Sequence, residues 1–443
     1  MYRRELGDFF DRSSFEKFRD AHGMIESYFS ASGADRKAIV KQLETSGVNP
    51  EVLGRLTRLR LHWPELAGGS IVHIDERFGP HHVRYTLGLP KSYDPRTPWP
   101  MVIPLTTMQP FVIEPRPSEE QFPGMYEGWV TEELARHPDA IVLMPWLDLD
   151  ERFGPSMAGM NSVIQAMHHA AGRANVDPAR VYLIGTSSAA VATWNIALHY
   201  PTYFAAFCTL AGSAREEWKR QRLMGLRNVL PVVWHDASDE VIKVEESRKL
   251  AQILRGTKLD VDYDETKDIG HVPTGEIVKQ RYRAMRARTR QLYPQQVSLQ
   301  SSRLESIFNR SDWVQIYQAT RPGDEYRVTM PGGRSVMTYY QFPVKIDAAR
   351  TGPNKIEAQV TNVQSLRFYF NDRTVDLSKP VTIVVNNKTR FEGMLKPSID
   401  EMLKDQIFLG RGWRYFTAIV DIEMNPPPAT QPASTTRTKS PLP

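Results

Sequence analysis

The sequence predicts an α/β protein with a mostly parallel central sheet, a helical extension ahead of it and a small antiparallel β domain behind it. Three observations predict this. Between residues 71 and 295, short apolar runs alternate with helical stretches, the pattern of strands joined by crossover helices. The central runs, such as Ile141–Pro145 and Val181–Ile184, are apolar nearly throughout, as strands covered on both faces must be. From residue 296 to 424 the pattern changes to short alternating segments, the mark of an antiparallel β unit.

The elements follow in chain order. At 443 residues and 41% hydrophobic composition, the chain is too long for one small core and is expected to form two or three folded units. Residues 1–70 read as a charged helical extension: Phe15, Phe18, Met24, Ile25 and Tyr28 recur at loosely helical spacing, and Ile39, Leu43, Val52, Leu53 and Leu56 continue the pattern, with Pro50 breaking it. The expected strands of the central unit are Val83–Leu89, Met101–Leu105, Ile141–Pro145, Val181–Ile184, Phe204–Leu210, Val232–His235 and Val261–Tyr263. The helical stretches between them include Tyr126–Arg136, Ser162–Arg173, Ser188–Tyr200 and Glu245–Arg255. In the β unit the segments are Trp313–Ile316, Val344–Ala348, Ile356–Val360, Leu366–Phe370, Val381–Val385 and Tyr415–Ile422, with Asn386-Asn387 as a hairpin turn. Residues 425–443 are rich in Pro, Thr and Ser, lack core formers and are expected to be a disordered tail.

Composition excludes several functions. The formal charge of +5 is small for this length. The densest basic stretch, Arg281–Arg290, spreads its arginines around more than one helix face, which reads as a solvated helix and not a nucleic-acid surface. A single cysteine, Cys208, rules out an intramolecular disulfide and any cysteine-rich metal site, and its apolar setting makes it a small buried hydrophobe. The adjacent pairs His81-His82 and His168-His169 cannot face one metal, because neighbouring side chains diverge on helix and strand alike. No cofactor or metal is expected. No apolar run approaches a membrane span, and no signal peptide is recognisable. The expected location is the cytoplasm if Met1 is the natural start, and a secreted or periplasmic one if the start has been trimmed.

The chemistry concentrates at Val181-Tyr-Leu-Ile-Gly-Thr-Ser-Ser-Ala-Ala190. Here Gly185-x-Ser187-x-Ala189 joins an apolar strand to a helix, the setting of the nucleophile elbow of α/β-hydrolases. A serine is a weak nucleophile until a base takes its proton, and this turn lifts the hydroxyl above the sheet where a base can reach it. Small neighbours let helix and strand approach, and the N–H of Ser188 is expected to face the developing oxyanion. The fold orders its partners Ser, then Asp or Glu, then His. Three histidines follow Ser187: His199 lies far along the elbow helix, His235 ends a strand ahead of the acid loop, and His271 lies in the loop after the next strand. His271 is therefore the expected base. The expected acid lies in His235-Asp-Ala-Ser-Asp-Glu-Val241, where Asp239 has Asp236 and Glu240 as rivals.

Several stretches resemble one group of enzymes. Tyr85–Asp94 with Trp99–Pro104, Asp177–Ser187, Thr193–Pro201, His235–Asp239 and Gly270-His271 are similar to entry strands, elbow, helix, acid loop and base loop of the poly(3-hydroxybutyrate) depolymerase-like and feruloyl-esterase-like α/β-hydrolases, also called predicted peptidases. The resemblance covers roughly residues 80–275 and favours Asp239 as the acid. Asn354–Glu357 and Lys379–Asn386 resemble a β module that follows some large esterases of this type. It implies hydrolysis of a carboxylic ester, small or polymer-derived, through an acyl-enzyme and without a cofactor. The alternatives are a serine peptidase of the same fold and a catalytically silent scaffold. One departure bears on activity: where the group carries His-Gly-Gly or His-Gly-x, this chain has Thr106-Thr-Met-Gln-Pro110. The second oxyanion donor is then expected from Thr106 or Thr107. Trp146 with Asp148, Asp150 and Glu151 reads as a pocket wall or as solvated charge, and Trp313, Tyr317, Tyr326, Tyr339 and Tyr340 as core aromatics before a carbohydrate platform.

Overall fold

The computed structural model describes residues 2–60, 63–78, 81–106, 119–146, 157–214, 222–301, 304, 308–321, 325–329, 336–340 and 342–424. The tail 425–443, Thr107, Asp148, Asp150 and Glu151 lie outside these residues, as do the side chains of Tyr326, Tyr339 and Tyr340.

The chain opens with helices α1 (Tyr2–Leu6), α2 (Phe15–Ser30), α3 (Gly33–Thr45) and α4 (Pro50–Leu56). Pro50 does not merely interrupt a helix; it begins α4 behind an N-cap at Asn49, where its missing N–H costs nothing. An eight-stranded sheet follows, made of β1 (Ile71–Phe78), β2 (His81–Gly88), β3 (Trp99–Pro104), β4 (Ile141–Pro145), β5 (Val176–Thr186), β6 (Ala206–Leu210), β7 (Leu230–Asp236) and β8 (Asp262–Thr266). Its order is β1-β2-β4-β3-β5-β6-β7-β8. β2 runs antiparallel to β1 and β4, and the rest of the sheet is parallel. This order and sense are those of the α/β-hydrolase fold. β1 escapes a reading of the sequence because charged residues in Ile71-Val-His-Ile-Asp-Glu-Arg-Phe78 mask its alternation; pairing with β2 along its full length defines it.

Helices cover both faces. α6 (Met157–Ala170), α7 (Ser188–His199) and α8 (Glu245–Gly256) contribute to one buried cluster, with Val163, Met167, Trp194, Ile196, Leu250 and Leu254 among its members. α5 (Phe122–Arg136) and α9 (Gly275–Arg286) cover the other face through Tyr126 and Val130, and through Ile277, Tyr282 and Met285. All five residues of β4 and all five of β6 are buried, as the unbroken apolar runs require. Cys208 is buried in β6.

Beyond residue 296 a five-stranded and a four-stranded sheet share one core, and β12 (Glu325–Thr329) and β13 (Val336–Tyr340) pair as a separate two-stranded sheet. In the first, β9 (Gln296–Ser301), β14 (Val344–Gly352), β15 (Lys355–Thr361), β17 (Val381–Val385) and β18 (Lys388–Gly393) are antiparallel neighbours except β15 and β17, which are parallel. Asn386 and Asn387 turn β17 into β18 with φ of 49° and 62°, as expected of a two-residue hairpin. In the second, β10 (Arg310–Ser311), β11 (Val314–Ala319), β16 (Val363–Phe370) and β19 (Ala418–Glu423) are all antiparallel. A helix that the sequence pattern did not announce, α10 (Ile399–Leu409), packs Ile399, Met402 and Leu403 against the N-terminal helices.

The basic stretch 281–290 is a solvated face only in part, at exposed Arg283. Arg281 is buried with Asp262 at 2.7 Å, Arg286 grips Asp139 through both nitrogens at 2.5 and 2.6 Å, and Arg290 is buried against Asp312 at 2.5 Å. Arg414 from the loop before β19 closes on the same Asp312 carboxylate. The sign pattern along the chain conceals this, since the partner acids lie far away in sequence.

Candidate active site

β5 ends at Thr186 and α7 begins at Ser188, so Ser187 occupies a one-residue turn between strand and helix. Its backbone sits at φ 56° and ψ −122°, a conformation that costs a non-glycine residue about 1–3 kcal/mol and persists only where packing enforces it. The enforcement is visible. The Ser187 N–H bonds the Leu210 carbonyl of β6 at 2.9 Å. A Cβ on Gly185 would collide with the Ala189 carbonyl and the Thr193 hydroxyl. A Cβ on Gly212 would lie 2.6 Å from the Ala190 side chain and 2.7 Å from the Ser187 carbonyl. The small residues read from the sequence thus match the crowding at the turn.

Three predicted side chains meet above the carboxyl edge of the sheet. The Ser187 hydroxyl lies 2.9 Å from Nε2 of His271 and donates to it. The Nδ1–H of His271 donates to Oδ2 of Asp239 at 2.8 Å. These proton positions follow from the network, in which the carboxylate can only accept. The Asp239 side chain is fully buried while that of His271 is about one-fifth exposed, so the carboxylate is shielded and the imidazole reachable from solvent. Burial pushes the Asp239 carboxyl upward, but hydrogen bonds from His271 and from the backbone N–H groups of Ile242 and Val241 outweigh it and hold the group ionised below its ordinary range.

The rival acids take other places. Glu240 is exposed. Asp236 is a clamp between the acid and base loops. Its Oδ1 accepts from Ser238 N and Gly270 N at 2.8 and 3.0 Å, and its Oδ2 from the Thr266 hydroxyl and Ile269 N at 2.7 and 3.2 Å. Burial again raises its carboxyl, and the bonds from Thr266, Gly270, Ser238 and Ile269 overcome it, bringing the group down to about 2. The clamp fixes the two residues preceding His271. The base loop needs it, because Asp268 and Gly270 both adopt positive φ, at 68° and 84°. A string of acids in the sequence does not show which carboxylate faces the imidazole; the direction of each carboxylate does.

His199 sits at the far end of α7, its Nδ1 bonded to the Asn195 carbonyl at 2.8 Å, away from Ser187. His235 is closer than its place in the chain suggested: fully buried, with Nε2 3.1 Å from Asp239 Oδ2. Ser188 is exposed and is the first residue of α7, so its N–H has no acceptor within the helix and is available above the turn. Thr106, after Leu105 whose N–H bonds the Ile184 carbonyl at 2.9 Å, carries a buried hydroxyl oxygen with no hydrogen-bond partner among the described residues. Thr106, Gly185 and Thr186 line a common cavity of about 250 Å³. Trp146 is core: it bonds the Thr86 hydroxyl at 2.8 Å and stacks on Tyr126. Trp313 is likewise buried, whereas Tyr317 is exposed. Among the described residues no group of three His, Cys, Asp or Glu side chains gathers as a metal site, and no helix is long and apolar enough to cross a membrane.

No family model matches the chain, and no curated protein matches it. Solved structures similar to it include a thermostable esterase (21% identity, TM-score 0.38, covering 50% of this chain and 63% of that one). A ferulic acid esterase is similar at 14% identity and TM-score 0.36, covering 51% of this chain and 98% of that one. Porphyromonas gingivalis dipeptidyl peptidase 4 is similar at 12% identity and TM-score 0.37, covering 49% of this chain and only 35% of that one. At such scores these likenesses add nothing to the strand order, which by itself gives the chain the α/β-hydrolase fold.

Proposed function

We propose that the protein is a serine hydrolase that cleaves a carboxylic ester through an acyl-enzyme. One observation carries the reading: the unbroken hydrogen-bonded chain from the Ser187 hydroxyl through His271 to Asp239, at 2.9 and 2.8 Å. In this reading His271 Nε2 takes the Ser187 proton as Oγ attacks the acyl carbon. Asp239 keeps the imidazole in the Nδ1–H tautomer and stabilises the imidazolium. The N–H of Ser188 binds the oxyanion, with a second donor from Thr106 or Thr107. His271 then returns the proton to the leaving alkoxide, and a water deacylates the serine by the reverse path.

An ester is the better substrate on chemical grounds. Its carbonyl is more electrophilic than an amide's and its leaving group departs more readily. One oxyanion donor is worth about 3 kcal/mol, so a loop without the paired glycines favours the acyl bond that needs less help. The test is turnover of p-nitrophenyl acetate and butyrate beside peptide p-nitroanilides, by wild type and Ser187→Ala. Ester turnover that vanishes in the variant supports the proposal. Preference for the anilides makes the protein a peptidase, and no turnover of either, in folded protein, makes it a silent scaffold.

A further inference from the structure

We infer that His235 is a positioning residue of the same site: its Nε2–H and the Nδ1–H of His271 share Oδ2 of Asp239, so a second imidazole holds the carboxylate that orients the first. The inference rests on the serine-hydrolase reading and adds a residue to it.

The protonation of His235 follows from its contacts. Nε2 lies 2.8 Å from the Ile242 carbonyl and 3.1 Å from Asp239 Oδ2. Both are acceptors, so Nε2 carries a proton and divides it between them. Nδ1 lies 2.7 Å from the hydroxyl of Ser247 in α8, which ties the ring to that helix. The ring is wholly buried, so no water competes for either nitrogen. β7 supplies the histidine, the loop after it supplies Asp239 and Ile242, and α8 supplies Ser247. Three segments are thereby fastened to one carboxylate.

The arrangement matters because Asp239 has two oxygens with different tasks. Oδ1 accepts the N–H groups of Val241 and Ile242 at 2.8 and 2.9 Å, which fixes one end of the carboxylate. Oδ2 alone faces His271. With only the Oδ1 bonds the carboxylate plane is free to turn about them, and Oδ2 swings relative to the imidazole. The His235 N–H removes that freedom. It also leaves Oδ2 less basic, so that when the Ser187 proton reaches His271 the charge stays on the imidazole, from which it must pass to the leaving group. No proton leaves His235 in this scheme. Its contact with Oδ2, at 3.1 Å, is longer than its contact with the Ile242 carbonyl, at 2.8 Å, so it steers the carboxylate without taking over its charge.

Sequence order hides the role, because His235 precedes the acid and is discounted as the base for that reason. A residue that merely filled space would be indifferent to the loss of its donor, and this gives the test. Wild type, His235→Leu, His235→Gln and Ser247→Ala are compared for kcat and KM on p-nitrophenyl butyrate and for the rate of labelling by a fluorophosphonate, with circular dichroism and thermal melting to establish folding. A displaced triad partner costs about a hundredfold, so His235→Leu is expected to lose roughly tenfold to a hundredfold in kcat at unchanged KM. His235→Gln, whose amide nitrogen can occupy the Nε2 position, is expected to recover most of it. Ser247→Ala, which releases Nδ1, is expected to lower kcat less than the leucine does. Should His235→Leu fail to fold, the glutamine and alanine variants carry the test, and wild-type kcat in Ser247→Ala then overturns the inference. A folded leucine variant with wild-type kcat, a glutamine variant as slow as the leucine one, or a loss confined to KM also overturns it. Wild type that resists the fluorophosphonate overturns instead the hydrolase reading beneath it.

Discussion

Replacing Asp236 by asparagine separates the clamp from the proposed triad. The carboxylate accepts four hydrogen bonds, two on each oxygen. Asparagine offers one oxygen. With that oxygen turned to Ser238 and Gly270, its NH2 faces the Ile269 N–H and the Thr266 hydroxyl. Thr266 can rotate to accept, since it already accepts from the Trp234 indole at 3.0 Å, but the Ile269 N–H is left unpaired. One orphaned buried donor and one weakened bond amount to about 2–4 kcal/mol of stability. The same loosening frees the loop that ends in His271, and a displacement of about 1 Å there costs around a hundredfold in the rate at which Ser187 attacks. Urea unfolding and fluorophosphonate labelling at neutral pH read the two effects.

The pH dependence is a third reading. In the folded protein Asp236 is held at about 2. In the unfolded chain a carboxyl of this kind titrates near 3.9, so the folded value is the depressed one. Its contribution is then fully present above about pH 4 and is lost as pH falls towards about 2. The stability gap between wild type and Asp236→Asn, followed by thermal melting from neutral pH downward, is expected to narrow across that interval. A variant as stable as wild type that labels at the same rate, or a gap constant through the interval, refutes the reasoning.

Other perturbations have equally specific outcomes. Asp239→Asn keeps the shape but reverses the preferred His271 tautomer, and kcat on p-nitrophenyl esters is expected to fall about 10⁴-fold with KM little changed. Asp312→Ala leaves Arg290 and Arg414 buried without their counter-charge, both almost entirely inaccessible. Removing one partner of a buried pair typically costs about 3–5 kcal/mol, measurable as a lower urea midpoint. Burial raises the Asp312 carboxyl but the two arginines outweigh it, so its contribution is present at neutral pH and declines as pH falls through the acid range. Gly185→Ala places a methyl against Ala189 and Thr193 and is expected to abolish labelling or soluble expression, read by gel fluorescence and by yield.

Much of this was legible in the residues. The apolar runs of β4 and β6 marked central parallel strands because nothing but burial on both faces tolerates them. The elbow was legible because strand, glycine, serine and alanine must coincide for a helix to leave a strand so sharply. Chain order singled out His271, whose ring lies between Ser187 and Asp239. The rest depended on distance. β1 pairs with β2 across a hairpin, but its charges defeat a periodicity reading. Asp236 and His235 flank the same short loop as Asp239, and composition cannot say which carboxylate faces the imidazole or that a second imidazole faces the carboxylate. The arginines of 281–290 looked solvated because Asp139, Asp262 and Asp312 come from elsewhere in the chain.

The account turns on Ser187 being an activated nucleophile. The most direct measurement is to treat the folded protein with a fluorophosphonate and locate the adduct by tandem mass spectrometry. The account predicts one adduct per chain, on Ser187, absent from Ser187→Ala and formed far more slowly in Asp239→Asn. A folded protein that takes up no probe, or takes it up on another residue, contradicts it.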